Sequence, residues 1–85
     1  MSDLDRRNGK IFFVVNPESR AGATRKRWPG IREMAQKRLG PIESRLTTAP
    51  RDATDITRRC LGAGAGLIVC VGGDGTLNEV VNGFM

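Results

Sequence analysis

The stretch CVGGDGTLNEVVNG, residues 70–83, closes an apolar run (LIVCV, Leu67–Val71) and sets Gly72, Gly73 and Gly75 around Asp74. A helical pattern follows, beginning near Leu77. Gly72 and Gly73 suit a sharp turn and remove side chains that would block close approach. Thr76 stands three residues before Glu79, the spacing of a capping box at a helix start. A glycine turn feeding a helix N-terminus gathers backbone N–H groups in one place, with the helix dipole behind them. That is an anion site, and phosphate is its usual occupant. No lysine follows these glycines, so the loop is not a Walker A motif, and it is not GxGxxG either. Asp74 would repel a phosphate unless a cation bridged them, so a Mg²⁺-bound nucleotide accounts for it. The competing reading is a structural glycine turn whose Asp74 only caps the helix.

Upstream, IFFVV (Ile11–Val15) is apolar throughout and rich in β-branched and aromatic residues, as a strand covered on both faces should be. Asn16-Pro17 stops it, because Pro17 lacks an N–H and restricts the residue before it. ESRAGATRKR follows as a basic loop or first helical turn. Trp28, Ile31, Ala35 and Leu39 then fall at helical spacing, with Pro29 tolerable near a helix start, and Gly40-Pro41 ends that helix. Ile42–Thr47 is a weaker strand. After a TAPR turn, Asp52 can cap a helix whose Ala53, Ile56, Cys60 and Leu61 share a face. Gly62, Gly64 and Gly66 end it before Leu67–Val71.

The order β-α-β-α-β-α with such apolar strands predicts a three-layer α/β/α fold with a parallel sheet. Ligands of open α/β sheets bind beyond the strand C-termini. A strand order 2-1-3 brings the loops at Asn16, Thr47 and Gly73 to one edge. An order 3-2-1 would separate the first and third loops by a full strand, about 10 Å.

Composition bounds the rest. With 85 residues, 39% hydrophobic and 27% charged, the chain suits one small globular domain with a modest core. There is no apolar run near the length of a membrane span, and the polar start MSDLDRRNGK reads as a flexible arm over residues 1–10, not a secretory signal. A cytoplasmic location follows. Cys60 and Cys70 have no CxxC pattern and no histidine to accompany them, so they read as buried reduced thiols. Of the net charge of +5, much lies between Arg20 and Arg45, where eight basic residues face only Glu33 and Glu43. That segment is either a solvated helix face or an attraction to anionic phosphates of a membrane or nucleotide. Trp28 is its single aromatic residue, which argues against nucleic acid. The third helix has little length before Met85, with no C-cap and no following strand, so the chain is expected to be part of a larger protein.

Three stretches carry a family resemblance. GGDGTLNEVVNG (72–83) resembles the signature of the diacylglycerol kinase catalytic domain, shared with bacterial lipid kinases and more loosely with sphingosine and NAD kinases. FFVVNPESRAG (12–22) is similar to that family's opening Asn-Pro-x-Ser motif, and LTTAPRDAT (46–54) to its middle motif. Trp28-Pro29 is also similar to many bacterial members. Arg20 and Arg51 depart from the pattern, standing where the family often has glycine.

The resemblance implies a fold of the NAD kinase/diacylglycerol kinase type over residues 11–85, with ATP and Mg²⁺ as cofactors. It implies that Asn16, Pro17, Glu18, Ser19 and Arg20 line the nucleotide phosphates and that Thr47 contacts the nucleotide. Gly72, Gly73, Asp74, Gly75, Thr76, Leu77, Asn78 and Glu79 would form the phosphate loop. Asp74 would join the Mg²⁺ network through water rather than as a direct ligand, and Glu79 would support the helix start. The general base, other Mg²⁺ ligands and most of the lipid pocket belong to a later β-rich domain, so this piece alone is expected to be inactive. The function implied is transfer of the γ-phosphoryl group of ATP to a lipid hydroxyl such as that of diacylglycerol, at the inner face of a membrane. An NAD kinase-like enzyme and a non-catalytic nucleotide-binding fragment are the alternatives.

Overall fold

The computed structural model describes residues 9–85, so most of the expected arm over residues 1–10 lies outside the described residues. Six elements alternate: β1 (Lys10–Val15), α1 (Ala23–Leu39), β2 (Glu43–Leu46), α2 (Asp52–Gly62), β3 (Ala65–Val71) and α3 (Asp74–Gly83). The strands form one parallel sheet in the order β2-β1-β3. Both the layer class and the strand order therefore match the expectation from sequence.

The central strand explains its own composition. Ile11, Phe13 and Val15 pack with Trp28 of α1 on one face of the sheet. On the other face Val14 packs with Ala53 of α2 and Val80 of α3. Phe12, on that same face, is 1% exposed. Alternate residues thus enter opposite layers, and both layers are apolar, so β1 has no polar position to offer. Trp28 meets Phe13 with ring centroids 5.7 Å apart and planes tilted by 42°. The helices α2 and α3 share the second face and touch closely. A Cβ on Gly83 would lie 2.5 Å from Thr57 Cβ, and the Thr54 hydroxyl donates to the Glu79 carbonyl at 2.8 Å.

Element edges differ from expectation for identifiable reasons. β1 begins at Lys10, whose N–H donates to the Gly64 carbonyl at 2.9 Å, so the strand takes in the last residue assigned to the arm. β2 is shorter than residues 42–47, and β3 starts earlier, at Ala65. α1 begins at Ala23, which leaves Pro29 inside the helix instead of near its start. The loop before it makes the earlier start possible. The Arg25 N–H reaches the Pro17 carbonyl at 3.2 Å, and the Ser19 and Thr24 hydroxyls lie 2.5 Å apart. On α1, Trp28 is buried but Ile31 is exposed, so the helical spacing overstated the buried face. On α2, Ala53 and Cys60 are buried whereas Leu61 is exposed.

Arg20 (φ 55°), Ala21 (φ 53°) and Gly22 (φ 87°) are three successive left-handed residues leading into α1. Arg51, before α2, is left-handed as well, at φ 72°. Arginine here occupies the very conformation for which glycine is suited, at about 1–2 kcal/mol for each residue bearing a Cβ.

Candidate functional site

Three strand ends converge because the central strand stands between the other two. The Asn16 N–H donates to the Val71 carbonyl (2.9 Å) and the Thr47 N–H to the Val15 carbonyl (2.8 Å), which ties the exits of β3, β1 and β2 into one row. Across this row Asn16 Nδ2 donates to Thr76 Oγ1 at 3.1 Å. Its Oδ1 meanwhile accepts from the Glu18 N–H at 3.0 Å. Asn16 therefore shapes its own loop and fastens it to the first turn of α3.

A cleft of about 290 Å³ opens beside this contact. Asn16, Glu18, Thr47, Thr76 and Glu79 line it, five residues expected at the site from three separate loops. Thr48, Ala49, Pro50 and Ala53 complete the wall; they belong to the LTTAPRDAT stretch, but no site role was expected of them individually. A signal for them existed in Asp52. Its Oδ2 does not cap α2 but turns back to accept from the Thr48 N–H (2.7 Å), the Thr48 hydroxyl (2.8 Å) and the Ala49 N–H (3.0 Å). These donors, Thr48 first, hold the Asp52 carboxyl below its ordinary pKa. Its role is to fold the β2–α2 turn into a wall, while Arg51 takes the N-cap position.

The glycine loop is built differently from the turn expected. α3 begins at Asp74, not near Leu77, and Gly73 is its N-cap with no side-chain capping bond. The capping box is therefore absent. Thr76 is buried and faces Asn16, and Glu79 lies on the cleft. The chain bends at Gly72 between β3 and α3 as expected, but it does so with Gly73 in extended backbone (φ −95°, ψ −170°) and with neither Gly72 nor Gly75 left-handed. Gly72 is needed for packing, since a Cβ there would lie 2.6 Å from Thr76 Oγ1. At Gly73 and Gly75 a Cβ would meet nothing within 4 Å. The first helical bond of α3 runs from the Leu77 N–H to the Gly73 carbonyl at 3.0 Å, so the amides of Asp74, Gly75 and Thr76 precede the ladder. Gly73, Asp74 and Gly75 are exposed, and neither backbone nor neighbours require glycine at 73 or 75.

Asp74 is exposed in the first turn of α3. No cluster of three or more metal-ligating side chains exists among the described residues. Mg²⁺ keeps several waters and binds through one or two carboxylates together with substrate phosphates, so an isolated Asp74 fits a supporting position. Arg20 and Gly72 line a different depression, on the α1 side of the sheet, so the structure does not bring Arg20 into the cleft. Pro17, Ser19, Gly73, Asp74, Gly75, Leu77 and Asn78 do not line the cleft either; Pro17 is buried, and the Ser19 hydroxyl donates to the Asn16 carbonyl at 2.8 Å. Cys60 and Cys70 are free thiols whose pKa is raised by burial, which suits packing rather than nucleophilic chemistry.

The sequence model described as the diacylglycerol kinase catalytic domain matches residues 10–85. The chain belongs to that family. Among solved structures, a provisionally assigned diacylglycerol kinase from Bacillus anthracis str. Sterne matches with a TM-score of 0.77 and 26% identity. The match covers 91% of this chain and 28% of that one, so this family member spans a little over a quarter of the length of its solved relative. No curated protein matches it. No helix among the described residues is long and apolar enough to cross a membrane.

Proposed function

We propose that this chain supplies the nucleotide-binding part of an ATP-dependent lipid kinase, which transfers the γ-phosphoryl group to a lipid hydroxyl such as that of diacylglycerol. The observation that carries this reading is the convergence of Asn16, Thr47, Thr76 and Glu79 on one cleft at the strand ends, next in sequence to Gly73 and Gly75, where a Cβ would meet nothing within 4 Å. Phosphoryl transfer asks for positioning and charge stabilisation more than covalent chemistry. The amides of Asp74, Gly75 and Thr76 would hold phosphate oxygens at the positive end of the α3 dipole. Thr47 and Asn16 would orient the nucleotide from the other wall, and Asp74 would direct a water ligand of the metal. Bound Mg²⁺ would neutralise charge on the phosphoryl oxygens as it moves. The general base, the remaining metal ligands and the lipid pocket are assigned to the later β-rich domain of a longer protein, which acts peripherally at the cytoplasmic face of a membrane.

The test is direct. Binding of ATP with and without Mg²⁺ is measured by titration calorimetry on this chain, and transfer of labelled γ-phosphate to diacylglycerol in mixed micelles on the full-length gene product. Mg²⁺-dependent ATP binding with lipid labelling is expected. ATP binding with labelling of NAD in place of lipid would move the chain to the NAD kinase branch. Failure to bind ATP would end the reading.

A further inference from the structure

Asp52, Ala53 and Thr54 open α2, and each bears on a different part of the cleft. Ala53 is buried and belongs to the cleft lining. On one side of it, Asp52 Oδ2 turns back to accept from the Thr48 N–H (2.7 Å), the Thr48 hydroxyl (2.8 Å) and the Ala49 N–H (3.0 Å). On the other side, the Thr54 hydroxyl donates across to the Glu79 carbonyl of α3 at 2.8 Å. Thr48, Ala49 and Glu79 line the cleft, whereas Asp52 and Thr54 do not. Two residues outside the cleft, two positions apart on one helix, thus hold two of its walls.

The β2–α2 wall depends heavily on this hold. Thr48, Ala49 and Pro50 are all exposed, so burial does little to place them. The Ala49 carbonyl accepts from the Asp52 N–H at 3.2 Å, which makes the Ala49–Asp52 contact reciprocal. Between them stands Arg51 in a left-handed conformation (φ 72°), which persists in a residue with a Cβ only where neighbouring contacts over-determine it. The bonds to the Asp52 carboxylate are charge-assisted and roughly twice as strong as neutral ones. On the α3 side, Thr54 holds the helix at Glu79, while Thr57, one turn on, abuts Gly83 near its end.

We infer that Asp52 and Thr54 are positioning residues that set the width of the nucleotide cleft, one through the Thr48–Ala49 turn and the other through α3. Neither touches the ligand. Each acts by fixing a wall, and a wall displaced by about 1 Å can cost a bound substrate orders of magnitude. The inference rests on the phosphoryl-transfer reading for the identity of that ligand.

The test measures KM for ATP and kcat on the full-length gene product, with whichever acceptor the wild type labels. Asp52→Ala and Thr54→Val should each raise KM about tenfold, a loss of binding geometry. Asp52→Asn keeps an acceptor oxygen and Thr54→Ser keeps the hydroxyl, so both should stay within about threefold of wild type. Ile11→Val, in the core on the opposite face of the sheet, is the stability control and should leave KM unchanged. A role in stability alone would lower apparent kcat, through the folded fraction, at constant KM. Thr54→Val keeps shape and volume and carries the test should Asp52→Ala not fold. An unchanged KM in either folded variant, or an equal rise in Ile11→Val, would overturn the inference while leaving the kinase reading standing. A wild type that neither binds nor turns over ATP would end both.

Discussion

Asn16 and Thr76, 60 positions apart in the chain, are joined by a hydrogen bond of 3.1 Å from Nδ2 to Oγ1. It fastens the exit of the central strand to the first turn of α3, and the same threonine fills the space that Gly72 leaves. Thr76→Val keeps the shape and removes the acceptor, so it should lower stability by about 1 kcal/mol, the net value of such a bond. Thr76→Ser, which keeps the oxygen, should retain most of that bond. Urea unfolding of the three proteins checks it, and equal midpoints for Thr76→Val and wild type would show that the contact contributes nothing.

The glycines of the loop should separate by role. Gly72→Ala drives a Cβ to 2.6 Å from Thr76 Oγ1 and should destabilise the fold by about 1–3 kcal/mol, as overpacking does. Gly73→Ala meets nothing within 4 Å and should leave melting nearly unchanged while weakening ATP binding. Intact ATP affinity in Gly73→Ala would mean that no ligand approaches that amide row.

Thr47 is buried at the cleft, with its backbone N–H committed to the Val15 carbonyl. Its hydroxyl remains the group that can meet a nucleotide. Thr47→Val in the full-length enzyme should raise the KM for ATP by the equivalent of about 1–1.5 kcal/mol without changing the melting temperature. An unaltered KM would return Thr47 to the role of a strand-end residue.

Asp74 stands in the first turn of α3 but is not the capping residue. Asp74→Asn should therefore change stability by only a few tenths of a kcal/mol, from the lost dipole interaction (about 0.3–1 kcal/mol at most). Turnover of the full-length kinase should fall about 100-fold, or ~2.7 kcal/mol of transition-state stabilisation. Melting temperature and kcat belong on one preparation; near-normal kcat would remove Asp74 from the metal network.

Arg51 is left-handed before α2 and lies outside both cavities that face the strand ends. Arg51→Gly relieves about 1–2 kcal/mol of strain, against about 0.5–1 kcal/mol of extra freedom given to the unfolded chain. The net gain should reach about 1 kcal/mol, a rise of about 4–8 °C in melting temperature for a domain of this size. Calorimetry showing a lower Tm would mean that the arginine side chain stabilises the turn.

Much of the fold was legible because it rests on local and additive signals. A short run without polar positions that is rich in β-branched and aromatic residues, IFFVV, reads as a strand covered on both faces, and proline or glycine after each apolar segment marks where it stops. The order 2-1-3 also followed from sequence, since only that order lets the Asn16, Thr47 and Gly73 loops share an edge. The helix starts were less legible. Thr76 and Glu79 have capping-box spacing, yet Thr76 is claimed by Asn16 across the sheet, a partner that no local window contains. Asp52 likewise resembles a cap in sequence but serves the turn before it.

Sequence alone therefore determined the alternation of elements, the parallel sheet and the three loops that meet, because hydrophobic periodicity and backbone stereochemistry act over a few residues. Tertiary structure decided which residues share a wall. It joined Asn16 to Thr76, set Thr48 to Pro50 beside Thr47, and sent Arg20 to the opposite face of the sheet. It also revealed what the glycines are for. Gly72 is demanded by the threonine packed on it, whereas Gly73 and Gly75 are demanded by nothing in the chain, a distinction that depends on atoms brought near by folding.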